Sequence, residues 1–266
     1  MFFWENVLRF LDTEMTQPTL YGWFHIVSLL LTVAVTFALC RWSKRLNPNR
    51  VVLITAVIVA ILEIYKQINY SFAYNDGIHF DYQWYAFPFQ FCSTPMYVGL
   101  LAGLTKSGRV NSAANAYLAT YAVFAGVCVM LYPATVFIRT VGINIQTMVC
   151  HGSMIAVGVY LLYSGHVKAE HKTILKAAPI FAICVAMACV MNELAFRTGL
   201  LETEGFDMFF ISPYGTPSLP VYSLVQNIVP FPWCLLIYVA AFTLAAYLIL
   251  LAAIGIKRLA KKKENI

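Results

Sequence analysis

The chain has 266 residues, of which 61% are hydrophobic and only 11% charged, with a mean hydropathy of +0.72. A soluble domain carries about 25% charged residues, so this composition excludes an ordinary water-soluble globule and points to lipid as the solvent. The net charge of +6 follows from basic loops and does not indicate nucleic acid.

The first residues, "MFFWENVLRFLDTEMTQ", lack the basic start and unbroken apolar run of a cleavable signal. Phe2, Phe3, Trp4, Leu8 and Leu11 instead line one side of a short predicted interfacial helix within 1–17. Seven long apolar segments follow, at 20–40, 51–70, 84–104, 112–132, 143–163, 174–196 and 232–256. Each approaches the ~20 residues that cross a ~30 Å hydrocarbon core as a helix. The expected fold is a single all-α polytopic membrane helix bundle, 1–266, with seven transmembrane helices and a basic tail at 257–266. "SPYGTPSLP" at 212–220 reads as a turn-rich loop, and 222–233 as a segment re-entering the interface.

Lysine and arginine in short loops set orientation. Arg41, Lys44, Arg45 and Arg50 lie between the first two spans. Lys106 and Arg109, then Lys168, Lys172 and Lys176, then Lys257, Arg258, Lys261, Lys262 and Lys263 fall on the same side. The opposite loops hold only Arg9, Arg139 and Arg197 among several acids, including Asp76, Glu202 and Glu204. The N-terminus is therefore expected outside and the C-terminus in the cytoplasm of a multi-pass cell-membrane protein. The tail suits anionic lipid as a partner.

Polar groups inside a span are costly and are candidates for function. Glu63, Lys66, Gln67 and Tyr70 share one face of the second span, and the opposite charges of Glu63 and Lys66 are expected to pair. Cys92 and His151 each lie about eight residues into their spans, roughly 12 Å at the helical rise. His25 in the first span and Asn192 and Glu193 in the sixth fall in the same half. A thiol needs a nearby base to act as a nucleophile, and an imidazole supplies one. Pro95 favours a kink that opens the helix beside Cys92, and Gln90 points about 200° away from Cys92 round that helix. The plain alternative is a packed cysteine and a structural histidine. The remaining cysteines read as core filler, His79, His166 and His171 as solvated loop residues. No metal site, cofactor motif or disulfide framework is expected.

The stretches "WYAFPFQFCS" at 84–93, "MLYP" at 130–133 followed by Arg139, "CHG" at 150–152, Asn192, "PSL" at 217–219 and "VPFPW" at 229–233 resemble the YwaF-type family of integral membrane proteins. That family includes an animal protein described as a cysteine–histidine phospholipid acyltransferase. The resemblance implies an acyl-accepting Cys92, His151 as its base, and a phospholipid or acylated lipid as substrate. Gln90, Glu63, Lys66, Gln67, Arg139, Asn192, Glu193 and His25 are then the supporting residues. Two features depart from the pattern: Gln90 stands where many relatives have histidine, and "FDMFF" at 206–210 replaces an Asn-Tyr pair. The rival reading is a small-solute or proton-coupled transporter lined by the same polar layer. It is weakened by inner span halves that are nearly free of polar residues and by the absence of an evident inverted repeat. A retinal-type receptor lacks a lysine near the centre of the last span.

Overall fold

The computed structural model describes residues 2–73, 77–105, 107–200, 205–215 and 222–264. Asp76, Lys106, Glu202, Glu204 and the "PSL" stretch at 217–219 lie outside them. Helix α1 (Phe2–Leu11) is the amphipathic element expected at the start, with Phe3, Trp4 and Phe10 exposed. It ends earlier than 17, and the chain beyond it is tied down. Leu11 O accepts the Tyr65 hydroxyl at 2.7 Å, and Asp12 accepts Asn69 Nδ2 at 3.2 Å.

Among the described residues, six helices are long and apolar enough to cross a membrane: α2 (Trp23–Arg41), α3 (Pro48–Asn69), the compound helix Gly108–Leu131, α7 (Val141–Tyr163), α8 (Lys172–Arg197) and the span Trp233–Ala260. The protein is an integral membrane protein of all-α architecture. Asn47 caps α3 by accepting from Arg50 N, with Pro48 at the first helical position, where its missing N–H costs nothing. Side chains such as Leu30, Leu31, Ile54 and Ile61 point outward, as lipid-facing positions do. The compound helix consists of α5 (Gly108–Tyr117), a π-turn (Leu118–Ala122) and α6 (Val123–Leu131). Gly158 lets α7 approach that turn, since a Cβ there would sit 2.6 Å from Leu118 O.

The third expected span is not one helix. Residues 84–104 contain a 3-10 turn (Trp84–Ala86), an irregular segment and only then α4 (Thr94–Leu104), 11 residues long. Phe87 is extended at ψ 136°, as a residue before proline prefers, so Pro88 stops the helix before it starts. Pro95 does not kink a helix; it sits in the first turn of α4, just after Ser93. Cys92 and Gln90 therefore lie in unwound backbone, and the helical angle expected between them does not apply. A two-stranded hairpin, β1 (Phe72–Ala73) with β2 (His79–Phe80), precedes this segment and carries no strand signal in the sequence.

After α8 come a 3-10 turn (Met208–Phe210), α9 (Tyr222–Ile228) and α10 (Trp233–Glu264). The last helix continues through the described part of the expected tail. Bonds across the bundle sort its ends. Tyr160 donates to Leu46 O, Asn111 to Asn49 and His171 pairs with Tyr247, which gathers the lysine- and arginine-rich loops at one end. The N-terminal segment, the 70–93 segment and the 131–141 loop gather at the other: Met15 N donates to Arg139 O and Val141 N to Thr13 O. Between α8, α10 and the π-turn lies an aromatic core, in which Tyr121 stacks on Phe181 at 4.5 Å and Phe181 meets Phe91, Phe209 and Phe242.

Candidate functional site

Glu63 is buried on α3, and its carboxylate is fully engaged. Lys66 Nζ lies 2.8 Å from Oε1, pairing the charges as the spacing predicted. Gln67 Nε2 donates to the same oxygen at 2.8 Å, and Gln146 Nε2 donates from α7 to Oε2 at 3.1 Å. Gln67 also donates to Ala86 O at 3.0 Å and accepts the Tyr82 hydroxyl at 2.5 Å. The charged pair thus anchors the start of the unwound segment to α3.

The rest of that segment is held by groups that replace a helical ladder. Gln90 Nε2 donates to Asp207 O at 2.8 Å, and its Oε1 accepts Phe209 N at 2.9 Å. Asn192, from α8, grips the same loop: Nδ2 donates to Met208 O at 2.9 Å and Oδ1 accepts Met208 N at 2.7 Å. The loop is unusual backbone, with Phe209 at φ 61° and Phe210 at φ 56°, a region that bulky residues avoid. Phe209 is fully buried, with its ring 6.1 Å from Phe89 and 5.7 Å from Phe91. The Asp207 carboxylate accepts from Asn192 Nδ2 and Ser212 N, yet burial pushes its pKa up to about 6. The two departures noted in the sequence, Gln90 and "FDMFF", are in direct contact and form one unit.

Cys92 follows Gln90 by two residues and is partly buried. Its carbonyl accepts the Cys150 thiol of α7 at 3.8 Å. His151 is next on α7 and is buried. Its Nδ1 pairs with Thr147 O at 2.7 Å, and its Nε2 has no partner. No hydrogen bond joins Cys92 to His151; the link between their elements is Cys150.

The other expected site residues lie elsewhere. His25 is a satisfied structural histidine: Nδ1 accepts Tyr21 N at 3.0 Å, so Nε2 carries the proton donated to Met130 O at 2.8 Å. Arg139 is exposed and joins the fold through its carbonyl. Glu193 belongs to a surface group with Arg197 at 2.7 Å and the Tyr214 hydroxyl at 2.8 Å. Sequence reasoning missed Gln146, Tyr82, Cys150 and Asp207. Gln146 had a signal, since it sits four residues before Cys150 and so on its helical face. Asp207 lay within the "FDMFF" stretch already noted, but its contacts depend on a loop fold. Among the described residues no group of three or more His, Cys, Asp or Glu is placed to hold a metal ion.

No curated protein and no solved structure is significantly similar to the chain. A family model matches residues 20–251, a range that contains the unwound Cys92 segment, His151, Asn192 and the Asp207 loop. The chain belongs to the TMEM164 family, that of the animal cysteine–histidine protein to which its motifs pointed.

Proposed function

We propose that this protein is a seven-pass lipid acyltransferase in which Cys92 carries the acyl group and His151 moves the proton. The observation that supports this best is the state of His151. A carbonyl only accepts, so the bond to Thr147 O puts the ring proton on Nδ1. The neutral ring then keeps its lone pair on Nε2, which is buried and unpartnered. An unsatisfied buried acceptor costs about 1–3 kcal/mol, and a base kept free for a proton is a use that accounts for the cost.

In the reaction, His151 Nε2 takes the Cys92 thiol proton and the thiolate attacks the ester carbonyl of a membrane phospholipid. The tetrahedral adduct collapses to a Cys92 thioester and expels the lysolipid alkoxide, which regains the proton from His151. An acceptor hydroxyl, deprotonated in turn by Nε2, attacks the thioester and releases the thiol. The sulfur and the imidazole must approach each other during these steps, and the unwound backbone around Cys92 permits that more readily than a helix would.

In the same reading, 84–104 counts as the third of seven crossings. A broken crossing is tolerated where protein covers its free backbone groups, as Gln67, Cys150 and Tyr97 do here. The basic end faces the cytoplasm, and the tail meets anionic lipid. Purified protein incubated with phospholipid is expected to carry a hydroxylamine-labile acyl group on Cys92, detected by peptide mass spectrometry. Cys92→Ser and His151→Ala are expected to lack transfer while inserting normally. An adduct on another residue, or full transfer by either variant, overturns the reading. Tags at the N-terminus and within 201–220 are expected outside, and at the C-terminus inside.

A further inference from the structure

A crevice lies between α3, α4, α7 and the π-turn, about 390 Å³ counting its open mouth. It starts one helical turn from the polar cluster on α3 and α7, and at the first turn of α4, just past the unwound segment. Val59 precedes Glu63 by four residues, Met96 follows Cys92 by four, and Met154 follows His151 by three; all three line it. Cys150 lines it too, and its thiol is the group bonded to the Cys92 carbonyl. The crevice therefore runs from the first turn of α4, just beyond the Cys92 segment, toward the basic end of the bundle; Cys92 and His151 do not themselves line it.

Its chemistry narrows the occupant. Valine, methionine, alanine, proline, leucine and glycine form most of the wall. The Ser153 hydroxyl is already spent on Cys150 O at 2.7 Å. Water needs two to four polar partners to settle in a cavity, and the crevice offers few. A headgroup or an ion would find no charged partner on these walls. Ala56, Gly99 and Ala122 stand among larger apolar side chains in the wall, leaving a narrow slot suited to a single unbranched chain. Small residues make it narrow but open: a Cβ on Gly99 would stand 3.0 Å from that of Ala56.

We infer that this crevice binds the carboxyl-proximal carbons of an unbranched acyl chain, with the carbonyl carbon at Cys92. The inference rests on the acyltransferase reading for its orientation. A chain joined to Cys92 has its polar end among Gln90, Glu63 and Lys66 and its apolar carbons in the slot. Wall residues that fill the slot then set which chains are accepted.

The test uses full-length Cys92→Ser protein in nanodiscs containing a phospholipid with a diazirine on the fourth acyl carbon, so that binding is read without transfer. Crosslinks are expected at Met96, Ser153 or Met154 above the level at outward-facing Ile58 and Ile61. Ser153→Phe and, from the opposite wall, Ala56→Leu should each cut labelling of Met96 and Met154 at least tenfold. Ile58 and Ile61 labelling should be unchanged. Crosslinks confined to the outward-facing positions, or undiminished in both filled variants, overturn the inference. A Cys92 thioester on the natural protein without crevice labelling leaves the acyltransferase reading standing and removes this one. Crevice labelling without any thioester leaves chain binding in the slot standing and removes the acyltransferase reading together with the orientation toward Cys92.

Discussion

The Glu63 cluster and the Asp207 loop are both buried polar assemblies that flank the Cys92 segment, and they are built in opposite ways. Around Glu63, most partners are side chains on regular helices, α3 and α7, and the central bond is an ion pair. Around Asp207, the partners are backbone groups of a strained loop, satisfied by two neutral amides, Gln90 from far along the chain and Asn192 from the end of the preceding helix. A charge cluster depends on each member having its counter-charge. An amide clamp depends on shape, because each amide must meet an N–H and a C=O at once. The difference teaches that this fold holds its unwound segment from two sides by two different kinds of bond.

The largest effect is expected where a charge is orphaned. Glu63→Gln leaves the Lys66 ammonium without its counter-ion and Lys66→Met strands the carboxylate, each costing about 3–5 kcal/mol. The double variant should recover part of the loss when unfolding is followed by heating in detergent. Strict additivity would separate the two residues energetically and break the comparison on its charged side.

The clamp should give a smaller but clear loss. Asn192→Ala leaves the N–H and C=O of fully buried Met208 unpaired, a cost of about 2–4 kcal/mol. Gln90→Ala should cost somewhat less, since Asp207, whose carbonyl it releases, is only partly buried. In both, amide hydrogen exchange in 205–215 should speed up while that in α3 stays slow. Acceleration in both regions alike would show one cooperative unit in place of two.

The effect of pH sharpens the contrast further. Asp207 has a folded pKa of about 6, above the ~3.9 of a free carboxyl. Its contribution to stability is full below pH 4 and is lost as pH rises through 6, because the folded state holds the proton more tightly. Asp207→Asn keeps an acceptor for Ser212 N and should flatten the melting temperature between pH 4 and 7. An unchanged pH slope would place the titration elsewhere. The smallest effect is expected at Glu193→Ala, which removes only the exposed contacts to Arg197 and Tyr214 and should leave the melting temperature nearly unchanged.

The helical parts of the site were readable because helix periodicity is local. Residues 63, 66 and 67 share a face whatever surrounds them, so the ion pair followed from spacing. His25 shows the limit of that logic: its depth matched the site, yet Tyr21 N and Met130 O claim both ring nitrogens. Depth along a helix says nothing about which neighbour a side chain meets. Glu193 fails for the same reason, since it faces outward toward Arg197 and Tyr214.

By itself the sequence determined the membrane class, the basic loops and the Glu63–Lys66 pair, and it singled out the two residues on which the chemistry is proposed to rest. These follow from composition and from spacings of a few residues. Only the tertiary structure decided that 84–93 is unwound, that Gln90 and Asn192 hold a left-handed loop between them, and that an apolar slot opens just beyond the Cys92 segment. The first two depend on backbone groups that no local ladder satisfies and that find partners from 16 to 117 residues away; the slot depends on helices that meet only in the bundle. Such partners are fixed by packing and not by period.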